Sequence, residues 1–226
     1  MAITMTEPLE AMIFDLDGTL ANTMPSIARA FQMVLAEHYK GDLASLDLYS
    51  LFGPSEEGIF ERLMPDRWEL CHATYLEACE QLHSDDEVVF AGMTDALDLL
   101  RSTGLRLGVV TAKGAKSAEL SLRLLGMNNF FDNVLTGSPT GNNKPENIRT
   151  LLAEWCVAPA RAAYVGDMTA DVLSSREVGV IPLSAAWAPT ANYAALVEME
   201  PHATFRSVAE FDAWIREHVV ATRVKV

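Results

Sequence analysis

The sequence predicts an α/β protein in which a mostly parallel sheet is flanked by helices and interrupted by an all-helical insertion. From residue 88 onward, short β-branched runs alternate with helical patterns, which is typical of βα units around a parallel sheet. Between residues 19 and 86 the apolar spacing is helical throughout. A chain of 226 residues is long enough for one sizeable domain that carries such an insertion.

The predicted strands are short apolar runs bounded by Gly, Pro, Asn or Asp. They cover residues 10–15, 106–112, 131–137, 161–167 and 180–186. Helices with suitable apolar spacing lie between the later strands, over residues 116–125, 144–155 and 171–178. Pro145 favours a helix start, because the first turn has no intrahelical partner for its N–H in any case.

The insertion is predicted to contain three amphipathic helices, over residues 25–39, 55–64 and 66–82. They are separated at Gly41, at Gly53-Pro54 and at Pro65, which interrupt helices. We therefore expect residues 1–18 and 87–226 to form the core and residues 19–86 to form the inserted unit. The acidic run at 84–87 is expected to be a solvated connector.

The composition indicates a folded, acidic protein. Half of the residues are hydrophobic and 21% are charged, which excludes a disordered chain. The 17 Lys and Arg residues against 31 Asp and Glu residues give a formal charge of -14. Nucleic-acid binding is disfavoured because it depends on Lys and Arg neutralising phosphates. A phosphorylated ligand would need local positive charge.

The cysteine content and the length of the apolar runs indicate the cellular compartment of the protein. The three cysteines are an odd number, form no CxxC pair and favour a reducing compartment. The N-terminal residues lack a signal-peptide pattern, and the apolar runs are shorter than the roughly 18 residues that a membrane span needs. We therefore expect a cytoplasmic protein that binds no membrane.

The most informative string is IFDLDGTL, residues 13–20. It places Asp15 at the end of a predicted strand and Asp17 two residues further on. Side chains at i and i+2 of extended backbone point the same way, so two carboxylates come together there. Such a pair shares a proton or requires a cation, and can divide into a nucleophile and an acid. The alternative is a pair of turn or capping aspartates.

Polar residues also follow the later strands. Thr111 ends the second predicted strand, Lys144 opens the helix after the third, and Asp167 ends the fourth. Asp171 lies four residues after Asp167, within reach of the same face of a helix start. Because ligands of open α/β sheets bind outside the carboxyl ends of the strands, these groups should meet in one cleft.

The charges of these groups suggest a metal ion. Asp15, Asp17, Asp167 and Asp171 supply four negative charges, whereas Lys144 and a divalent ion supply three positive charges. Protonation of Asp17 would balance the set. Carboxylates without Cys or His are hard oxygen ligands, which favour Mg²⁺.

The order of motifs resembles one known family. DLDGTL is followed by Thr111 at a strand end, by Lys144-Pro145 and by GDMTADV at residues 166–172. This order resembles the haloacid dehalogenase-like superfamily over nearly the whole chain. The helical insertion resembles its C1-type cap, as in phosphoglycolate phosphatases and β-phosphoglucomutases. The resemblance implies a Rossmann-like three-layer core and a Mg²⁺-dependent phosphatase that hydrolyses a small phosphomonoester through an aspartyl-phosphate.

The resemblance also implies catalytic roles. Asp15 would be the nucleophile that attacks phosphorus. Asp17 would protonate the leaving oxygen and then activate water. Thr111 and Lys144 would hold the oxygens of the transferring phosphoryl group.

The same resemblance implies the metal ligands. Asp15, the backbone carbonyl of Asp17 and Asp167 would bind Mg²⁺, with Asp171 ligating or orienting. The second motif departs from the family pattern, because Ala112 stands where many relatives have Asn. We therefore treat Ala112 as an uncertain substrate contact and Lys113 as a candidate contact.

Substrate choice is expected to lie in the insertion, because the core handles only the phosphoryl group. The Gly53-Pro54 turn can place a helix N-terminus over the cleft, which makes Glu56 a candidate substrate contact. Arg62 and Arg67 are further candidates for contacting the leaving group. The alternative for all three is a charge that simply faces solvent.

Two other functions stay open at this point. A phosphomutase of the β-phosphoglucomutase type uses the same aspartyl-phosphate but returns the phosphoryl group to a sugar. A non-catalytic anion-binding protein on the same fold is the other alternative. A haloacid dehalogenase is disfavoured, because that reaction needs no metal and leaves several carboxylates without a role.

The expected partner is a small phosphorylated metabolite, and a monomer and a homodimer are both compatible with the sequence.

Overall fold

The computed structural model describes residues 7–83 and 88–223. Its strands are β1 Ala11–Phe14, β2 Arg106–Val110, β3 Asn133–Leu135, β4 Ala162–Gly166, β5 Ile181–Ala185 and β6 Ala203–Phe205. Within the described residues they form one sheet in the order β3-β2-β1-β4-β5-β6. Each described pairing is parallel.

Helices connect these strands and build the insertion. They are α1 Met24–His38, α2 Glu56–Leu63, α3 Trp68–Leu82, α4 Met93–Ser102, α5 Ala115–Leu124, α6 Lys144–Trp155, α7 Thr169–Val178, α8 Tyr193–Glu198 and α9 Val208–Ile215. Short 3-10 turns lie at Leu43–Ser45, Tyr49–Leu51, Pro65–Arg67 and Pro159–Arg161. After α9 the chain continues through a π-helical turn, Arg216–Val220, and a last helical turn, Ala221–Arg223.

The sheet is buried on both faces, which gives the predicted three-layer, Rossmann-like core. Alternate residues of a strand point to opposite faces. Phe14 therefore packs with α4 and α9 on one side, whereas Ile13 packs with Ile148 and Leu151 of α6 on the other. A parallel sheet covered on both faces explains why its central strands read as continuous apolar runs.

The helical insertion, α1 to α3, has an apolar cluster of its own. Phe31 lies at its centre, with ring centroids 4.8 Å from Tyr75 and 5.1 Å from Phe60. The three predicted helices are confirmed, except that the third begins at Trp68 after a 3-10 turn. The boundary predicted between residues 86 and 87, the connector at 84–87 and residues 1–6 lie outside the described residues.

The structure corrects several predicted elements. The strands end earlier than predicted, so that Asp15, Thr111 and Asp167 each follow the last strand residue directly. Helices α4, α8 and α9 and strand β6 were not predicted individually. In the described ranges, no helix combines the length and the apolar character that a membrane crossing requires.

Candidate active site

Three neighbouring strands deliver polar side chains to one edge of the sheet. Asp15 follows β1, Thr111 follows β2 and Asp167 follows β4. These strands are adjacent and parallel, so their carboxyl ends share one edge. Lys144 opens α6 and Asp171 lies in the first turn of α7. All five side chains are buried.

The carboxylates of Asp15, Asp167 and Asp171 form an acidic cluster. Each offers an oxygen, and the three oxygens lie within 4.8 Å of one another. Burial raises the pKa of Asp15 to about 6, with Lys144 opposing the rise and Asp171 adding to it. Burial and the two neighbouring carboxylates raise the pKa of Asp167 well above its usual range. Buried, crowded oxygen ligands of this kind fit a Mg²⁺ ion, which would relieve their repulsion.

Lys144 bridges two members of the acidic cluster. Its Nζ lies 2.6 Å from Asp15 Oδ2 and 2.6 Å from Asp171 Oδ1. Burial alone would lower the pKa of Lys144, but Asp15 and Asp171 outweigh it and hold that pKa well above its usual range. Lys144 is therefore a charged ammonium in the buried centre of the site.

Main-chain groups hold the carboxylates in place. The Leu16 N–H donates to Asp15 Oδ1 at 2.8 Å, and the Met168 N–H donates to Asp171 Oδ2 at 2.9 Å. Because Asp171 Oδ1 accepts from the Lys144 ammonium, both oxygens of Asp171 are hydrogen-bonded. Gly18, with a φ of 76°, is so close to Asp167 that a Cβ there would overlap the carboxylate.

Asp17 has different partners from Asp15. The sequence predicted the two as a like-charged pair on extended backbone, but β1 ends at Phe14. Asp17 Oδ1 accepts a hydrogen bond from Thr23 Oγ1 at 2.6 Å. Lys113 Nζ lies 3.3 Å from Oδ1 and 3.4 Å from Oδ2. The side chain of Asp17 lies outside the acidic cluster, on the side of the helical insertion.

The loop after β2 carries the other predicted contacts. Thr111 Oγ1 accepts the Lys113 N–H at 3.2 Å. Ala112 is half-buried, and its carbonyl lies so close to Gly137 that a Cβ there would overlap it. The ammonium of Lys113 points to Asp17 and to Glu56 of the insertion.

Glu56 of the insertion binds this loop through its carboxylate. Its Oε2 accepts the Gly114 N–H at 2.7 Å, and its Oε1 accepts from Tyr75 Oη at 3.4 Å. Burial raises the pKa of Glu56, against the lowering effect of Lys113. Arg62 and Arg67, by contrast, have exposed side chains.

Several contacts of the site were not predicted from the sequence. Thr23 and Tyr75 lie on or beside helices of the insertion, and no local motif distinguishes them from packing residues. Trp187 packs against the core beside Phe90. Its Nε1–H also donates to the Thr19 carbonyl at 3.0 Å, which fixes the turn after Asp17.

Comparison with known proteins identifies the class that this fold and site define. The family model described as haloacid dehalogenase-like hydrolase matches residues 12–184. The chain belongs to this family of hydrolases, as the motif order predicted.

Individual relatives agree with the family. Pyrophosphatase PpaX from Bacillus pumilus is 30% identical over 181 residues, which are 79% of this chain and 84% of that protein. Pyrophosphatase PpaX from Anoxybacillus flavithermus is 30% identical over 182 residues, with the same shares of 79% and 84%. A solved haloacid dehalogenase-like hydrolase from Streptococcus pneumoniae is 26% identical, with a TM-score of 0.72 over 92% of this chain and 98% of the other.

Proposed function

We propose that this protein is a Mg²⁺-dependent phosphatase that hydrolyses a small phosphomonoester through an aspartyl-phosphate at Asp15. One observation carries the proposal: Asp15, two further carboxylates and the Lys144 ammonium are buried together at the carboxyl edge of the sheet. A nucleophile, ligands for a cation and a charge for phosphoryl oxygens thus meet at one place. The pyrophosphatase names of the relatives support phosphoryl chemistry.

Asp15 supplies the nucleophile. An oxygen of its carboxylate attacks phosphorus, the bond from phosphorus to the leaving oxygen breaks, and an aspartyl-phosphate forms. The Leu16 N–H and the Lys144 ammonium orient the carboxylate for this attack. Because the nucleophile is buried and fixed, little entropy is lost on reaching the transition state.

Asp17 acts as the general acid and then as the general base. It gives a proton to the leaving oxygen in the first step and takes one from the attacking water in the second step. The second step releases inorganic phosphate and restores the Asp15 carboxylate. Thr23 and Lys113, which contact Asp17, hold it on the side where the leaving group departs.

Positive charge and hydrogen-bond donors stabilise the transferring group. Thr111 and Lys144 contact the phosphoryl oxygens, and Ala112 and Lys113 continue the same loop toward the leaving group. Catalysis of phosphoryl transfer depends mostly on such positioning and electrostatic stabilisation. Glu56 of the insertion accepts a hydrogen bond from this loop at Gly114.

The metal would be held by Asp15, Asp167 and the main-chain carbonyl of Asp17. Asp171, the third carboxylate of the acidic cluster, would ligate the ion or orient Lys144. When bound, Mg²⁺ supplies positive charge that neutralises the carboxylates and the phosphoryl oxygens.

The helical insertion, residues 19–86, acts as a cap over a core formed by residues 1–18 and 87–226. The Ser55 N–H donates to the Ser138 carbonyl at 2.9 Å, and Glu56 binds Gly114, so the insertion contacts two loops of the core. A cap in this position would enclose the leaving group and control the access of water to the aspartyl-phosphate. We place the enzyme in the cytoplasm, where its partner would be a small phosphorylated metabolite.

The direct test is phosphate release from a panel of phosphomonoesters and pyrophosphate. The panel is run with Mg²⁺ and with EDTA, for the wild type and for Asp15→Asn. We expect release that requires Mg²⁺ and is absent in the variant. A wild type that releases no phosphate from any compound, or a fully active variant, would contradict the proposal.

A further inference from the structure

The Lys113 ammonium lies between a carboxylate of the core and a carboxylate of the helical insertion. It is 3.3 and 3.4 Å from the two oxygens of Asp17 and 3.9 Å from Glu56 Oε1. The side chains of Lys113 and Glu56 are only 3% and 7% exposed. Because a buried ammonium depends on its charged partners, these two carboxylates determine where the Lys113 ammonium lies.

Glu56 is itself fixed from two sides. Its Oε2 accepts the N–H of Gly114, the residue after Lys113, at 2.7 Å. Its Oε1 accepts from Tyr75 Oη at 3.4 Å, and Tyr75 packs against Phe31 in the centre of the insertion. Glu56 therefore connects the apolar core of the insertion to the loop that carries Lys113.

The first turn of α2 fits closely against the core around this contact. A Cβ added at Gly58 would overlap the main chain of Pro139. A Cβ added at Gly114 would overlap the carboxylate of Glu57. These close approaches define one docked position of α2, in which Glu56 meets Lys113.

Lys113 in turn determines how the Asp17 carboxylate is oriented. Thr23 donates to Oδ1 of Asp17, whereas Lys113 reaches both oxygens. A lysine side chain has a flexible four-carbon stem, so a second partner restricts its ammonium more than one partner does. The contact with Glu56 supplies that restriction.

We propose that Glu56 is a positioning residue that acts through Lys113 on Asp17, so that Asp17 is oriented for proton transfer only while α2 is docked on the core. The proposal rests on the proposed phosphatase function. It assigns Glu56 a role that does not require contact with the substrate. The competing role, a direct contact with the leaving group, makes a different prediction for paired variants.

A double-mutant cycle separates the two roles. It compares kcat and KM for Glu56→Gln, Lys113→Met and the double variant, with Glu61→Gln, an exposed change on the same helix, as the matched control. We expect Glu56→Gln to lower kcat by about 10-fold with little change in KM, because a misplaced group slows the chemical step. The double variant should be no slower than Lys113→Met alone, since coupled residues are not additive. The proposal would be overturned if the kcat losses of the two single variants multiply in the double variant, or if Glu56→Gln changes only KM.

A milder variant and a second measurement keep the proposal testable if the variants of Glu56 or Lys113 fail to fold. Tyr75→Phe removes the hydroxyl that contacts Glu56 but keeps the ring, and it should lower kcat without changing KM. Hydrogen exchange at the Gly114 amide should be faster in Glu56→Ala than in Glu61→Ala, because the acceptor is lost. Unchanged exchange at Gly114 would overturn the docked contact. Since exchange needs no turnover, failure of the phosphatase function and failure of this contact are distinguishable.

Discussion

Lys144 Nζ lies 2.6 Å from Asp15 Oδ2, although the two residues are separated by 129 positions in the sequence. The same ammonium reaches Asp171 Oδ1 at 2.6 Å. One buried cation thus orients the proposed nucleophile and offsets part of the charge of three buried carboxylates. The resemblance to the family predicted the set of residues, and the structure adds that Lys144 bridges two of the carboxylates.

Replacing Lys144 by Met should affect both activity and stability. Loss of the ammonium leaves Asp15 and Asp171 buried without a positively charged partner. Breaking a buried ion pair lowers the free energy of unfolding by roughly 3 kcal/mol or more. We expect kcat to fall by about 10²-fold or more, as when an electrostatic stabiliser is removed. Urea unfolding and steady-state kinetics measure the two effects, with the exposed Lys40→Met as control. Wild-type kcat in Lys144→Met would contradict its role.

Asp167→Asn should stabilise the metal-free protein and abolish its response to Mg²⁺. Burial, together with repulsion by Asp15 and Asp171, raises the pKa of Asp167, so a neutral amide removes an unfavourable charge. A ligand at 100 times its Kd stabilises the folded state by about 2.7 kcal/mol. Thermal unfolding with EDTA and with Mg²⁺ tests both statements. An equal Mg²⁺ shift in the wild type and the variant would show that Asp167 is not a ligand.

Gly18→Ala should impair activity more than a comparable glycine change elsewhere. Gly18 has a φ of 76° and contacts Asp167, whereas Gly126 has a φ of 68° with no atom within 4 Å of an added Cβ. Both variants pay about 1 kcal/mol for a left-handed backbone. Gly18→Ala additionally displaces Asp167. We expect Gly126→Ala to keep full kcat and Gly18→Ala to lose activity and Mg²⁺-induced stabilisation; equal kcat values would argue against this geometry.

His72 makes the stability of the protein depend on pH. Burial lowers the pKa of His72 from its ordinary value of 6.5, Glu57 opposes this and Lys116 adds to it. Below pH 6.5 the unfolded chain therefore binds a proton at His72 more readily than the folded protein does. Stability is lost as the pH falls below 6.5. His72→Phe removes the proton uptake while keeping an aromatic ring beside Phe60. Urea unfolding between about pH 8 and pH 5 should show a smaller loss of stability in the variant than in the wild type. Parallel pH curves would exclude His72 as the cause.

The sequence predicted those parts of the fold that depend on local pattern. The central strands β1, β2, β4 and β5 were found, because strands buried on both faces read as apolar runs. Helix α4 was not singled out, although its buried residues Met93, Ala96, Leu97 and Leu100 have helical spacing. Strand β6 has three residues, too few for a reliable alternation.

The candidate site divides in the same way. Asp15, Thr111 and Asp167 were predicted to converge, because strand ends and the carboxyl-edge rule place them together. The partners of Asp17 were not predicted, since the contact of Lys113 with Glu56 depends on how α2 packs against the core. Such packing between distant segments leaves no local trace in the sequence.

The central claim is an aspartyl-phosphate on Asp15, and the most direct measurement is the mass of the enzyme after acid quenching. The wild type is mixed with Mg²⁺ and the best substrate of the panel, quenched within one turnover and digested. We predict one added phosphoryl group on the peptide that contains Asp15, and none in Asp15→Asn. Rapid turnover with that peptide unmodified, or a phosphoryl group on another residue, would contradict the account.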